Sequence, residues 1–508
     1  MVTENEPTRL VAIEPDLLDT TNAGPAAIRG GTLRVVGYLL GVLLSLVSVP
    51  LLIRHLGFSE YGRYVTTIAL VTIVQGITDV GLGQIGVREY ATRSGPDRVR
   101  LMRNLMGVRF ALTTVGVAFA TAFAALAGYG HAVLIGTLLA GIGMVLTVIQ
   151  GTLAVPLSAQ LRLGWITALD LLRQVLSVAA IVILVLAGAK LLPFLAVSIP
   201  VSLVVLAATL LVIYGTMPLR PSFHRAEWSA LIKAVLPFAA AVVIGTLYLR
   251  ITVVLMSLLA STLQTGYYGT SFTVISVLIA IPALTVGATL PILARAARDD
   301  RERLAYVLQR LVEVTMIVGV GLGLGLALGA EFVVRVLARG HVEPAIVVLQ
   351  IQSLAIVTQF VGASWQYGLL ALHRHRSALI VSATGLVVSV CLTVALVPVL
   401  EAKGAAVAFA AAELAVAASS FLLLRAASPD LRFSMRVPSR VVLAALLAGS
   451  VALIPGLSSL AAALIAVVIY LAALAVLRAI PDELRHALLA RRRASRAIKD
   501  GEEAGLSP

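Results

Sequence analysis

Residues 50–104 read PLLIRHLGFSEYGRYVTTIALVTIVQGITDVGLGQIGVREYATRSGPDRVRLMRN, which is a short Gly/Tyr turn, an apolar segment with one acid and an arginine-rich loop. Residues 255–310 repeat this order, and Thr265-Gly266-Tyr267-Tyr268 takes the place of Tyr61-Gly62-Arg63-Tyr64. Each copy ends in a loop with five arginines, at positions 88, 93, 98, 100 and 103 and at positions 295, 298, 301, 303 and 310. A supersecondary unit that recurs in this way indicates an internal duplication.

The composition predicts an all-α polytopic membrane protein. The chain has 508 residues, of which 59% are hydrophobic and 13% are charged, and its mean hydropathy is +1.00. The net charge of +14 lies in short loops between apolar segments, where membrane orientation accounts for it, so we expect no nucleic-acid partner. The single cysteine, Cys391, excludes an intramolecular disulfide. We find no catalytic or metal-binding motif and expect neither an enzyme nor a cofactor.

Hydropathy and charge together predict the topology. Segments of roughly 20 apolar residues give about 14 spans, and 30 of the 39 lysines and arginines fall in the termini and alternate loops. This alternation predicts an even number of spans with both termini in the cytoplasm. Because the two copies of the repeat lie an even number of spans apart, they share one orientation, related by an axis along the membrane normal.

The predicted organisation is two six-helix lobes followed by a C-terminal helix pair. The predicted segments are a disordered cytoplasmic tail (1–30), an N-terminal lobe (31–215), a cytoplasmic linker (216–229), a C-terminal lobe (230–425), helices 13 and 14 (439–478) and a basic cytoplasmic tail (479–508). The basic tail either lies on anionic lipid or only sets the topology.

The sequence resembles the polysaccharide-biosynthesis flippases, the Wzx-type oligosaccharide exporters, over residues 30–425. The matching segments are LGFSEYGRY (56–64), the D-x-G-L of residues 79–82, Arg88-Glu89, the segment from Pro237, GYYGTSFTV (266–274) and the segment from Leu290. The resemblance implies the fold of the MATE and lipid II flippase superfamily. It also implies a cell-membrane protein whose partners are the bilayer, a lipid-linked oligosaccharide, and a polysaccharide polymerase or glycosyltransferases. One position departs from the family pattern, because Arg250-Ile251-Thr252 stands where the family commonly has Arg-Ile-Asp.

Three arginines lie within predicted spans, where each costs about 2.5–3.5 kcal/mol to insert, so they are candidate contacts for an anionic substrate. Arg250 either binds a lipid-linked phosphate or takes part in packing and snorkelling. Arg173 forms an i, i+3 pair with Asp170, so a local pair and a cavity role are both open. Arg109 lies near the start of the third span, where snorkelling to the cytoplasmic interface is the simpler interpretation.

Acids and amides inside the spans are the other candidates. Asp79 and Glu413 have no basic residue one helical turn away, so each is either a protonatable coupling site or a structural hydrogen-bonding group; Asp170 is a third candidate for coupling. The tenth span carries Gln359 and Trp365, which suit sugar hydroxyls and sugar faces, although Trp365 also fits an aromatic belt.

These features predict a transporter that flips an isoprenoid-pyrophosphate-linked oligosaccharide from the inner to the outer leaflet by alternating access. One alternative is a MATE-like exporter of small cations, whose cavity should favour acids instead of arginines. A membrane glycosyltransferase or polymerase would need a large outer loop with carboxylates, and the outer loops here are short. A scaffold of a glycan-assembly complex remains a further alternative.

Overall fold

The computed structural model describes residues 23–213, 221–287, 289–429 and 434–479. These residues are helical and contain no strand, as the hydropathy predicts. The α-helices in this part of the chain are α1 (Ala23–Asp79), α2 (Leu82–Thr92), α3 (Gly95–Leu126), α4 (His131–Leu153), α5 (Val155–Ala159), α6 (Leu163–Leu186), α7 (Leu191–Ala196), α8 (Ser198–Val212), α9 (Arg225–Leu259), α10 (Thr262–Gly287), α11 (Leu290–Asp299), α12 (Arg301–Leu337), α13 (Glu343–Ala371), α14 (His375–Ala427), α15 (Arg436–Gly449) and α16 (Ser459–Val476).

Two of these helices are each a pair of predicted spans joined across a kink. A straight helix of 57 residues would be about 85 Å long, well over twice the roughly 30 Å apolar thickness of a bilayer. The chain leaves the helical conformation at Gly57, with φ 71°, a region that glycine enters without steric cost. In α14 the corresponding break is at Glu401, with φ 50°. The length of the apolar segments predicts spans at about 33–53 and 64–85 and at about 377–398 and 404–424, and each break falls between the two spans of one of these pairs.

Eleven helical segments of the described chain are long and apolar enough to cross a membrane, and both kinked helices are among them. The number of 14 spans and the cytoplasmic position of the termini stay predictions. Residues 1–22 and 480–508, which make up most of the two predicted tails, lie outside the described residues. The first boundary needs correction, because α1 begins at Ala23. The alanine-rich sequence AGPAAI favours a helix, and a proline near its start is compatible with one.

The described chain forms two compact units whose boundaries differ from those of the predicted lobes. The first unit comprises the residues up to Leu56 together with Thr67–Thr246, and the second comprises Gly57–Thr66 and the chain from Leu247 onward. The division therefore falls within α9 and not in the predicted linker 216–229. The physical reason lies in packing, because Leu231 and Val235 belong to the apolar core of the first unit.

The described part of the linker forms hydrogen bonds with the N-terminal part of α3. The side-chain oxygen of Asn104 accepts the backbone N–H of His224 at 2.9 Å, and Ser222 donates to the Arg103 carbonyl at 3.0 Å. Arg93 pairs with Glu227 at 3.4 Å. These contacts fix the start of α9, the helix that carries Arg250.

In the second unit, the glycine run GVGLGLGLALG (319–329) of α12 forms two packing surfaces. Gly319 and Gly323 face Phe360, Val357 and Ser353 of α13. The surface that faces α16 is formed by Gly321 against Tyr470, Gly325 against Val467 and Gly329 against Ala463. Glycine allows helices to approach closely, so α16 packs closely against α12 within the second unit.

The repeated Gly/Tyr turn forms a reciprocal helix crossing within the second unit. A Cβ atom on Gly62 would overlap the carbonyl oxygen of Thr262, and a Cβ atom on Gly266 would overlap that of Phe58. In each copy the carbonyl lies four residues before the glycine. The Phe58 and Tyr267 rings pack beside the crossing, with centroids 4.6 Å apart. Each copy of the repeat therefore contacts the other through its equivalent glycine, while the two-fold relation of the lobes stays a prediction.

Candidate functional site

Arg250 is a half-buried arginine of α9 without a charged partner in the described residues. The centre of its guanidinium lies 5.8 Å from the centroid of the Phe272 ring on α10. No hydrogen bond or ion pair of its side chain occurs within the described part of the chain. A guanidinium has five N–H donors, so Arg250 retains donors for an anionic ligand.

Glu413 is a buried acid of α14, with 2% of its surface exposed. Its carboxylate accepts a hydrogen bond of 2.6 Å from the hydroxyl of Tyr248, which lies two residues before Arg250 in α9. A Cβ atom on Gly385 would lie 3.0 Å from the Tyr248 ring, so the glycine leaves room for this ring. No basic side chain pairs with Glu413 among the described residues.

Between these groups lie polar atoms that are buried without a hydrogen-bond partner. They include the hydroxyl of Tyr268 and both polar atoms of the Gln352 amide, and neither residue is accessible to solvent. The Tyr268 hydroxyl is within electrostatic range of Arg250 and Glu413. Thr252, at the position where the family commonly has an acid, shares a 2.9 Å hydrogen bond with Ser389. The Tyr268 hydroxyl nevertheless interacts with the side chains of Thr252 and Gln352, so these residues form one buried polar cluster.

In the first unit, Arg109 and Asp79 form an ion pair that their sequence positions do not indicate. Arg109 Nη2 donates to Asp79 Oδ1 at 2.7 Å and Nη1 donates to Thr152 at 3.0 Å. Since Arg109 is only 7% exposed, the snorkelling interpretation is wrong for this residue. Asp79 does have a basic partner, although it is not one helical turn away.

Arg173 of α6 is held by neutral acceptors. Its guanidinium donates to Gln150 Oε1 at 2.8 Å, to Thr147 at 3.0 Å and to Ser202 at 3.4 Å. Asp170 is exposed one turn earlier in the same helix and acts on Arg173 electrostatically. Arg173 is therefore acted on by Asp170 of its own helix and also donates hydrogen bonds to neutral residues.

Gln359 and Trp365 lie on α13 and are half-buried. The Trp365 ring contacts Phe421 with a centroid distance of 5.1 Å, and its indole N–H is buried with no hydrogen-bond partner in the described chain. The structure does not join these two residues to Arg250 through a described contact. Their assignment to sugar recognition stays a prediction.

The partners of the charged residues are what sequence reasoning missed. Tyr248, Tyr268 and Thr147 are uncharged, and nothing in their spacing distinguishes them from ordinary packing residues. Tyr248 could have been considered because it precedes Arg250 by two residues, but its acid partner lies 165 residues away. A charged residue inside a span can be recognised in the sequence, whereas a neutral hydrogen-bond donor beside it cannot.

Comparison with known proteins places the chain in a family and a fold. Residues 27–297 match the family model described as polysaccharide biosynthesis protein. The lipid II flippase MurJ, in an inward closed conformation, is similar in structure, with a TM-score of 0.75 and 12% identity over 88% of this chain and 98% of that chain. An inward-facing multidrug resistance transporter of the MATE family has a TM-score of 0.62 and 11% identity over 78% of this chain and 98% of that one.

A third similar structure is a transporter of the MOP superfamily from Pyrococcus furiosus. Its TM-score is 0.54, with 13% identity over 80% of this chain and 96% of that chain. No curated protein matches the sequence. At these identities the structural matches establish the fold, which agrees with the predicted MATE and lipid II flippase architecture.

Proposed function

The chain belongs to the polysaccharide biosynthesis protein family, and from this premise we propose that it flips an isoprenoid-pyrophosphate-linked oligosaccharide from the inner to the outer leaflet of the cell membrane. Transport proceeds by alternating access and supplies cell-surface polysaccharide assembly. A polysaccharide polymerase or glycosyltransferases would act with it.

Arg250 is the single observation that carries this proposal. An arginine inside a span costs about 2.5–3.5 kcal/mol to insert, and most such residues are paired. Arg250 has no carboxylate partner in the described chain, and its guanidinium lies over the face of Phe272. A planar guanidinium with free donors binds phosphate oxygens in pairs. Its role is therefore to bind the pyrophosphate of the carrier lipid.

Arg109 and Arg173 support the proposal less directly. The charge of Arg109 is balanced by Asp79, so we assign Arg109 no direct contact with substrate. Arg173 donates to neutral acceptors with the acid Asp170 one turn earlier in the helix, and it stays a candidate for a second contact with the anionic headgroup.

The experiment replaces Arg250 in cells that depend on this protein for surface glycan. Arg250→Ala should abolish export while the protein level is unchanged, because losing a charge eases insertion. Losing a charged hydrogen-bonding partner corresponds to about 1.5–3 kcal/mol, or a roughly 10- to 150-fold weaker interaction. Arg250→Lys should retain part of the export, since lysine keeps the charge but loses the paired donors. Surface glycan and lipid-linked precursor are measured at matched protein levels.

Arg335→Ala is the matched control. It removes an arginine of the same unit that is 59% exposed and pairs with Glu331, so export should stay normal. Normal surface glycan in Arg250→Ala would refute the anion-site assignment. It would favour the two alternatives, a MATE-like exporter of small molecules or cations and a scaffold of a glycan-assembly complex.

A further inference from the structure

The three arginines that the sequence places inside spans are held in three different ways. Arg109 pairs with the carboxylate of Asp79 at 2.7 Å. Arg173 donates to neutral oxygen atoms and has an acid one turn earlier in its helix. The guanidinium of Arg250 lies over the ring of Phe272, with 5.8 Å between its central carbon and the ring centroid. An aromatic ring therefore stands where oxygen atoms stand at the other two arginines.

Phe272 is itself held by two other rings of the second unit. Only 4% of its surface is exposed. The ring of Tyr268, one turn earlier on α10, stacks against it with centroids 5.8 Å apart and an angle of 12° between the planes. Phe409 of α14 meets it at an angle of 89°, with a centroid distance of 5.7 Å. Both geometries are favourable for ring pairs, so α10 and α14 set the orientation of the ring that Arg250 contacts.

A ring differs from a carboxylate in what it leaves to the arginine. The face of an aromatic ring is partially negative and attracts a cation within about 6 Å of its centroid, but it carries no net charge. The charge of Arg250 is therefore attracted to the ring without being neutralised. Two residues further along α9, Thr252 supplies no acid either, and its hydroxyl is bonded to that of Ser389 at 2.9 Å.

We propose that Phe272 is a positioning residue for Arg250, whose ring orients the guanidinium and leaves its charge available to an anionic headgroup. This inference rests on the proposed function of Arg250 as the anion site. A long side chain that is ordered only when the ligand arrives weakens binding, because its lost conformational freedom opposes association. Phe272 orders the guanidinium beforehand. It thereby favours a charged isoprenoid over a neutral one.

The experiment measures binding of farnesyl pyrophosphate to the purified full-length protein in detergent, with farnesol as the neutral comparison. Phenylalanine at position 272 is replaced by mono-, di- and trifluorinated phenylalanine, which keep the shape of the ring and make its face progressively less negative. Each added fluorine should weaken binding of the pyrophosphate further. Phe272→Leu, which has no ring, should bind it roughly 2- to 30-fold more weakly than the wild type. Binding of farnesol should stay the same throughout the fluorinated series.

Two controls separate positioning from packing. Fluorination at position 272 in the Arg250→Ala background should change nothing, because the cation is then absent. Tyr306→Leu removes the ring that lies 5.3 Å from the Arg310 guanidinium. Arg310 also pairs with Glu313 at 2.8 Å, so this second ring contact involves an arginine whose charge is balanced. Binding of farnesyl pyrophosphate to Tyr306→Leu should equal that of the wild type.

The outcomes distinguish this inference from the proposed function. If fluorination leaves binding of the pyrophosphate unchanged, strengthens it, or weakens it equally in the Arg250→Ala background, the positioning role is overturned while the anion site stands. If Arg250→Ala binds the pyrophosphate as tightly as the wild type, or if the wild type binds it no more tightly than farnesol, the proposed function fails first. A stepwise loss that is confined to the pyrophosphate and requires Arg250 supports both.

Discussion

At the scale of single residues, the pair formed by Arg109 and Asp79 has one buried and one half-exposed member. The side chain of Arg109 is 9% exposed and that of Asp79 is 43% exposed. Removing the acid leaves a buried charge without a partner, whereas removing the arginine leaves a carboxylate that can be solvated. Asp79→Ala should therefore destabilise the protein by about 3 kcal/mol, and Arg109→Met by about 1 kcal/mol.

Thermal unfolding of the purified variants in detergent measures this difference, and the double variant serves as its control. Combining both changes should recover most of the stability lost in Asp79→Ala, because no unpaired charge then remains. The ion pair would not be the interaction that matters if the two single variants were destabilised equally. The same would follow if the loss of stability in the double variant equalled the sum of the losses in the two single variants.

The same residues illustrate which parts of the site the sequence can predict. Arg250, Asp79 and Glu413 are visible because a charge is rare in an apolar segment. Their partners are not, since Asp79 and Arg109 are 30 residues apart and Tyr248 and Glu413 are 165 apart. A search within one helical turn detects only local pairs. The partners of Asp79 and Glu413 lie on other helices and are brought close by tertiary packing, so such a search does not find them.

At the scale of helices, the reciprocal crossing at Gly62 and Gly266 depends on the absence of a side chain. Each glycine faces a backbone carbonyl, which cannot move aside as a side chain can, so an added methyl group separates the helices. Gly62→Ala should lower stability by about 1–3 kcal/mol, and Gly266→Ala should have a similar effect because its surroundings are equivalent. Thermal unfolding in detergent measures both.

Gly151→Ala in α4 is the matched control for this crossing. A Cβ atom at that position meets open space, so the substitution should be neutral or stabilising by up to about 1 kcal/mol, as alanine favours the helix. If Gly62→Ala were as stable as Gly151→Ala, the crossing would not be the close contact described.

Helix positions were predicted well where apolar length decides them and poorly where packing does. The glycine run of α12 permits close approach, and Gly321 and Gly325 lie against Tyr470 and Val467. The unit boundary was placed in the polar linker, where hydropathy falls. It lies within α9 because the first part of that helix packs into the core of the first unit.

At the scale of the whole molecule, the duplication and the distribution of charge predict a polytopic membrane protein with two lobes, and the resemblance to the polysaccharide-biosynthesis flippases implies the MATE and lipid II flippase architecture. The family and fold comparisons agree with this prediction. The proposal for the transported molecule depends on the interaction that we propose between one arginine, Arg250, and a headgroup. Composition and topology do not encode that interaction.

The sidedness of the lipid-linked oligosaccharide in membrane vesicles tests the central claim most directly. Vesicles of known orientation, prepared from cells depleted of this protein, are treated with a membrane-impermeant glycan oxidant. The account predicts that the oligosaccharide accumulates on the cytoplasmic leaflet, that wild-type protein restores its appearance on the outer leaflet, and that Arg250→Ala at the same protein level does not. An unchanged distribution between leaflets after depletion would contradict it.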